Sequence, residues 1–420
     1  MKCPIFILLI VLAIHDKINA FDHKKRLVHI KVKENIQLKK QLQYHPDILL
    51  NFTERLQKYG YPSDVHTTVT EDGYILKVFR ILKRPHCETT KKPPVLLHHG
   101  LFVNSISYTD AGPKVGLAYL LADACFDVWC SNSRGTEFSR NHTKLDPDKD
   151  PEFWQFSFHE IGLYDLSAFI DYIIKETGSP KVNYVSHSQA VPQYMALASL
   201  KPQVMDKVGL LVAMAPAVFV EHSRSPVLTT LAKHFEQFVL NLFNTLRIQE
   251  ILYTKSPVNE VLQFMCRKKF AQRACIELLE TFFDGRHRNS VTQETFEIIF
   301  GHTPDGVSLK NLVHFSQLLN SRKFQQYDYG EKRNMKTYGA KKPPEYELKK
   351  VTTPTLLIYG ENDHLVNASD VRKLSRTLPN VVKLYRIEDA KWNHLDYLWS
   401  IHIPKLLLPE IVEWLNKYSI

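Results

Sequence analysis

From residue 95 onward, short apolar runs alternate with amphipathic stretches. VLLHHG (95–100), DVWCSN (127–132), VNYVSH (182–187), VGLLVAMA (208–215), TLLIYG (355–360) and VVKLYRI (381–387) have strand length and carry apolar residues on both faces. They predict buried strands. Helical periodicity fills most of the intervals, at 115–124, 160–176, 189–200 and 368–377. This alternation predicts an α/β fold, a mostly parallel central sheet covered by helices on both faces. Ahead of it, VHTTVT, EDG and YILKVFRI predict a hairpin over 65–81 that turns at Asp72-Gly73.

The alternation stops after Ala215 and resumes at Thr355. Between them, residues 217–345 show helical periodicity and no convincing strand. An insertion at this point lies beyond the C-terminal end of a strand, where open α/β sheets bind their ligands, so it reads as a helical cap. Within it, Leu231, Phe235, Phe238, Val239, Leu242 and Phe243 share one helical face, which can pack inward or serve a mobile lid.

Lys2, an apolar run from Pro4 to Ile14 and the small residue Ala20 have the layout of a secretory signal peptide, and the run is too short to span a bilayer. The expected organisation is a signal peptide over 1–20, a basic arm over 21–44, core over 45–216, cap over 217–345 and core again over 346–420. No later segment predicts a membrane span. Secretion is the expected destination, with the lysosome as the alternative. Sequons at Asn51, Asn141 and Asn367 are candidate glycosylation sites in an exported chain.

Net charge is +10, concentrated in FDHKKRLVHIKVKENIQLKK (21–40) and again in 332–350. Such a balance permits attraction to anionic lipid or nucleic acid, and export with the lack of a nucleic-acid motif argues against nucleic acid; both basic stretches read first as solvated, flexible surface. Of six cysteines, Cys3 leaves with the leader, so Cys87, Cys125, Cys130, Cys266 and Cys275 give an odd count. Cys266 and Cys275 are the best disulfide pair. Cys125 and Cys130, in the apolar LADACFDVWC, read as buried free thiols. There is no CxxC or HxxxH spacing, so no metal is expected.

The candidate chemistry sits at strand ends. Ser188 follows VNYVSH in Ser186-His187-Ser188-Gln189-Ala190, Asp363 follows TLLIYG, and His394 follows VVKLYRI in DAKWNHLD. Nucleophile, acid and base in this chain order, each at a strand end, form the pattern for acyl transfer by a serine. Backbone N–H groups of Leu101, in HHGLF, and of Gln189 are the expected oxyanion donors. Asp396 lies close enough to His394 to be mistaken for the acid, and His364, beside Asp363, is a poor partner for it. No organic cofactor is needed.

These stretches resemble one family. GYPSDVHTTVTEDGYILKVFRI (60–81), HHGLF (98–102), LADACFDVWCSNSRGTEFSR (121–140), SHSQA (186–190), YGENDHLV (359–366) and WNHLDYLW (392–399) are similar to the acid lipases, which include lysosomal acid lipase, gastric lipase and secreted insect lipases. The resemblance implies an α/β-hydrolase fold, Ser188, Asp363 and His394 as the triad, Leu101 and Gln189 as oxyanion donors, a Cys266–Cys275 bridge in the cap, and neutral lipid esters such as triacylglycerols as substrate. Three positions depart from the family pattern. Ser186 and Ala190 stand where GHSQG has glycines, and Glu137 stands where a neutral residue is usual.

Overall fold

A computed structural model describes residues 36–82, 87, 92–234, 243, 245, 248–253, 257–266 and 269–419. The signal-peptide segment lies outside these residues, as do most of the basic arm and Phe235, Phe238, Val239 and Leu242 of the proposed lid face; Phe243 is buried.

The apolar runs form strands. The hairpin is β1 (Ser63–Val69) and β2 (Ile75–Ile81), followed by β3 (Val95–His98), β4 (Val128–Ser131), β5 (Val182–His187) and β6 (Val208–Met214). After the short pair β7 (Glu250–Ile251) and β8 (Val307–Ser308) come β9 (Thr355–Tyr359) and β10 (Val381–Arg386). The main sheet has the order β1-β2-β4-β3-β5-β6-β9-β10. Only the hairpin and the β2/β4 pairing are antiparallel; the rest is parallel. β3 to β6 and β9 are buried along their whole length, whereas β10 at the edge is partly exposed, as a sheet clothed by helices requires.

Arg134 ties the hairpin turn to this frame. Its Nε and backbone N–H donate to the buried Asp165 at 2.7 and 2.8 Å, its Nη atoms reach Asp72 at 2.6 and 2.8 Å, and its guanidinium stacks 3.7 Å from the Tyr74 ring. Fully desolvated, this cation holds its place because each donor meets a carboxylate.

The helix expected over 160–176 contains a π-turn at Ile161–Leu166 before continuing as Ser167–Thr177. Gly162 lies there against the helix Ala190–Leu200, so closely that a Cβ would sit 2.2 Å from the Gln193 carbonyl. Only glycine permits that approach. It sets the helix that follows the serine directly onto its neighbour.

The segment from 217 to 345 is mainly helical, with helices at Pro226–His234, Pro257–Cys266, Lys269–Phe282, Gln293–His302, Leu309–Ser321 and Glu331–Tyr338. It also contains the ribbon β7/β8, which the sequence does not predict because two-residue strands leave no periodicity to read. Cys266 and Cys275 are joined in this segment.

One cysteine expectation is corrected. Cys125 is not a buried thiol: it is bonded to Cys87, and Cys130 alone of the five is free and buried. The apolar run around Cys125 misleads because the chain turns there. Cys125 follows the helix Leu117–Asp123 with φ +66°, which takes it half out of the core and toward the connection after β2. Two bridges fit an oxidising compartment.

Candidate active site

The geometry of the serine begins with its backbone. β5 ends at His187 and the next helix starts at Ala190, so Ser188 must reverse the chain within two residues; it does so at φ +57°. A serine held in the left-handed region is strained, and its neighbours fix it there. Ser188 N–H donates to the Met214 carbonyl on β6 at 3.0 Å, and its own carbonyl accepts from Val191 at 3.2 Å.

The two missing glycines are accommodated differently. Ser186 is wholly buried, and its hydroxyl donates to the Val212 carbonyl at 3.0 Å, so the additional polar atom is satisfied across β5 and β6. Ala190 adds one methyl inside the core, while its carbonyl accepts from the Tyr184 hydroxyl at 3.1 Å. Close approach falls instead to Gly100, where a Cβ would lie 3.1 Å from that of Ser188. Glu137 is half-buried, and its N–H donates to Asp305.

Three side chains meet at the C-terminal end of the sheet. His394 Nε2 lies 2.9 Å from Ser188 Oγ, and its Nδ1 lies 2.8 Å from Asp363 Oδ2. The other Asp363 oxygen accepts from the N–H groups of Leu365 and Val366 at 2.9 and 2.7 Å. With the Nδ1 proton held by a carboxylate, the Nε2 lone pair is aimed at the serine hydroxyl. All three residues are buried, Ser188 retaining 8% exposure and His394 6%. The N–H groups of Leu101 and Gln189 have no acceptor among the described residues.

His394 is held by more than its acid. His187 Nε2 donates to the His394 carbonyl at 3.1 Å, and burial keeps that imidazole neutral by pulling its pKa well below the ordinary 6.5. From the inserted segment comes Asp284, which sequence reading missed. Its Oδ2 accepts from the N–H groups of His394 and Leu395 at 2.7 and 3.2 Å, and its Oδ1 accepts from Gly285 and His364 at 2.8 and 3.1 Å. One buried carboxylate thus joins the acid loop to the base loop. Burial, and then the charge of Asp363, push its pKa up to about 7. Burial lowers the affinity of His394 for a proton, but Asp363, through charge and hydrogen bond, and Asp284 outweigh it, and the net pKa is raised.

Gln189 is also fixed from the insertion. Asn311, on the helix Leu309–Ser321, donates to its side-chain oxygen at 2.8 Å and accepts the Phe158 N–H at 2.8 Å. Asp396 does not pair with His394: it takes His287 Nδ1 at 2.7 Å, the Ser290 hydroxyl and the Asn393 N–H. His364 meets Asp284 through its backbone, and its ring stays half-buried beside the site.

Comparison with known proteins identifies the fold and the family. The family model "alpha/beta hydrolase fold" matches residues 93–400, and "Partial alpha/beta-hydrolase lipase region" matches 52–111. The chain is 39% identical to Lipase 1 of Drosophila melanogaster over 88% of its own length and 81% of that protein's. It is 35% identical to gastric triacylglycerol lipase of Mus musculus, over 88% and 92% respectively. A solved hypothetical protein of Pseudomonas aeruginosa shares the fold at TM-score 0.53 and 12% identity, over 85% of this chain and 94% of that one. The chain is an ester hydrolase of the α/β-hydrolase fold and belongs to the acid and gastric type of lipase.

Proposed function

We propose that the chain hydrolyses neutral lipid esters, triacylglycerols first among them, through an acyl-enzyme on Ser188. The observation that carries this reading is the unbroken series Asp363, His394 and Ser188, linked at 2.8 and 2.9 Å with the serine in its strained turn. His394 takes the hydroxyl proton as Ser188 Oγ attacks the ester carbonyl, and the N–H groups of Leu101 and Gln189 receive the oxyanion. The imidazolium then protonates the departing alcohol. A water, activated by the same imidazole, releases the fatty acid and restores the serine. The name of the mouse relative supports the substrate class, and the low exposure of the site supports a cap over 217–345, part of which must move to admit a lipid.

Delivery follows from the N-terminal 20 residues, which would direct the chain into the secretory route, outward or to the lysosome. Among the described residues no helix is long and apolar enough to cross a membrane. Asn51 and Asn141 are exposed and Asn367 is half-buried, and each uses Oδ1 in its own local hydrogen bonds, which leaves Nδ2 for a glycan.

The test is hydrolysis of triolein, cholesteryl oleate and a short-chain ester by wild type and Ser188→Ala. Wild type should release fatty acid from triolein, and the variant should lose about 10⁴-fold or more in kcat with its fold intact. Turnover of the short ester alone would replace the lipid reading with a small-ester esterase.

A further inference from the structure

Behind the base loop, outside the triad, two histidines and a carboxylate converge from segments far apart in sequence. His287 follows the helix Lys269–Phe282 in the insertion, Asp389 lies just after β10, and His402 begins the turn Ile403–Leu406. One ligand atom from each lies within 4.8 Å of the other two. His287 is buried, while Asp389 and His402 are half-buried, so an ion could enter from the surface.

The orientation of His287 is the strongest observation. Its Nδ1 donates at 2.7 Å to Asp396, whose carboxylate is itself buried and held by Ser290 and Asn393. A carboxylate on one imidazole nitrogen fixes the proton there and turns the other lone pair outward, the usual support behind a metal-bound histidine. Here the outward atom is Nε2, and 3.4 Å away stands Asp389 Oδ2, a second acceptor. That separation matches the edge of a tetrahedron about 3.3 to 3.5 Å long, which Zn–N and Zn–O bonds of about 2.0 to 2.2 Å produce. The His402 ring lies nearly parallel to that of His287, at 20° with centroids 6.2 Å apart, so both imidazoles flank the same space.

We propose that His287, Asp389 and His402 bind a divalent transition-metal ion, best matched by zinc, with water completing the tetrahedron. Three carboxylates surround the imidazole, Asp389, Asp396 and Glu280, which accepts the His287 backbone N–H, and they are opposed by Lys391 and by Arg286 beside Glu280. The site has no local sequence motif because each ligand comes from a different loop. Its function is structural: it ties the insertion to both flanks of the loop that carries His394.

Titration of the metal-stripped protein with zinc at pH 7.5, followed by calorimetry and thermal melting, tests the site. One ion per chain should bind with a rise in melting temperature. His402→Gln and Asp389→Asn should each weaken binding by at least about tenfold. His222→Gln, in the separate group with Glu221 and Asp370, should leave it unchanged. X-ray absorption of the loaded wild type should give only nitrogen and oxygen neighbours at about 2.0 to 2.2 Å. The proposal fails if wild type shows no binding. It also fails if both ligand variants bind as wild type does, or if binding survives them and disappears in His394→Ala, which would put the ion on the catalytic base. Should His402→Gln not fold, Asp389→Asn and the absorption spectrum decide.

Discussion

Two aspartates reach His394 from different regions, and they do different things. Asp363 comes from the loop after β9 and meets the imidazole ring; Asp284 comes from the insertion and meets the backbone. Both are 1% exposed. What separates them is the partner each faces. A carboxylate against Nδ1 sets the tautomer and stabilises the imidazolium as it forms, whereas one against backbone N–H groups fixes where the ring can be. Proximity to His394 therefore does not define a role.

The largest expected effect comes from Asp363→Asn. An amide can leave Nδ1 without its proton acceptor and favour the wrong tautomer, so kcat should fall by about 10⁴ with little change in folding. A fall of less than about a hundredfold would mean that Asp284 serves as the acid in its place.

Asp284→Ala should show the opposite balance. The backbone N–H groups of Gly285, His364 and His394 lose their acceptor in the interior, at a cost of about 1–3 kcal/mol for each that water does not reach, while Leu395 keeps Asn393 Oδ1 at 3.0 Å. The variant should lose about 2–4 kcal/mol in urea unfolding, while kcat drops only about ten- to a hundredfold as the base loop loosens. Unchanged stability would remove the positioning role.

A pH profile sharpens the comparison further. His394 must be neutral to accept the serine proton, and its pKa is raised, so kcat/KM should climb with pH through a midpoint above 6.5. Asp284→Asn removes one of the two negative charges that hold His394 up, and the limb should move to lower pH. If the limb stays in place, Asp284 is uncharged across that range and acts through hydrogen bonds alone.

The smallest effect belongs to a residue two positions before the serine. Ser186→Gly deletes the hydrogen bond to Val212 and restores the usual small residue under the turn. Stability should change by about 1 kcal/mol and kcat by less than about tenfold. A larger loss would show that the Ser186 hydroxyl, and not the compactness of the position, supports the turn.

The elements legible in the sequence were those written in contiguous residues. Six apolar runs gave the six buried or edge strands from β3 to β10 outside the ribbon, because burial on both faces leaves an unbroken apolar signature. Ser188, Asp363 and His394 were legible as positions because each follows such a run; their meeting within hydrogen-bonding distance was not. Asp284 lies 110 residues from His394, in FFDGRHR, where nothing local distinguishes it from a solvated aspartate. Asn311 and the group His287, Asp389 and His402 were hidden for the same reason. Cys125 was misjudged because neighbouring apolar residues report the burial of a segment, and a turn at φ +66° breaks that report for the one residue inside it.

The insertion is fastened to the sheet unevenly. Around residues 305–314, Asp305 exchanges bonds with Phe102, Asn104 and Glu137, Ser308 reaches the Phe156 carbonyl, His314 meets Ser157 at 2.9 Å, and Asn311 steadies Gln189 beside its oxyanion donor. Lifting this stretch would release Gln189, and with it the proposed oxyanion site. On the proposed reading, whatever motion admits a lipid would therefore leave residues 305–314 behind as a fixed sill. A fatty chain would then meet the proposed catalytic groups already assembled.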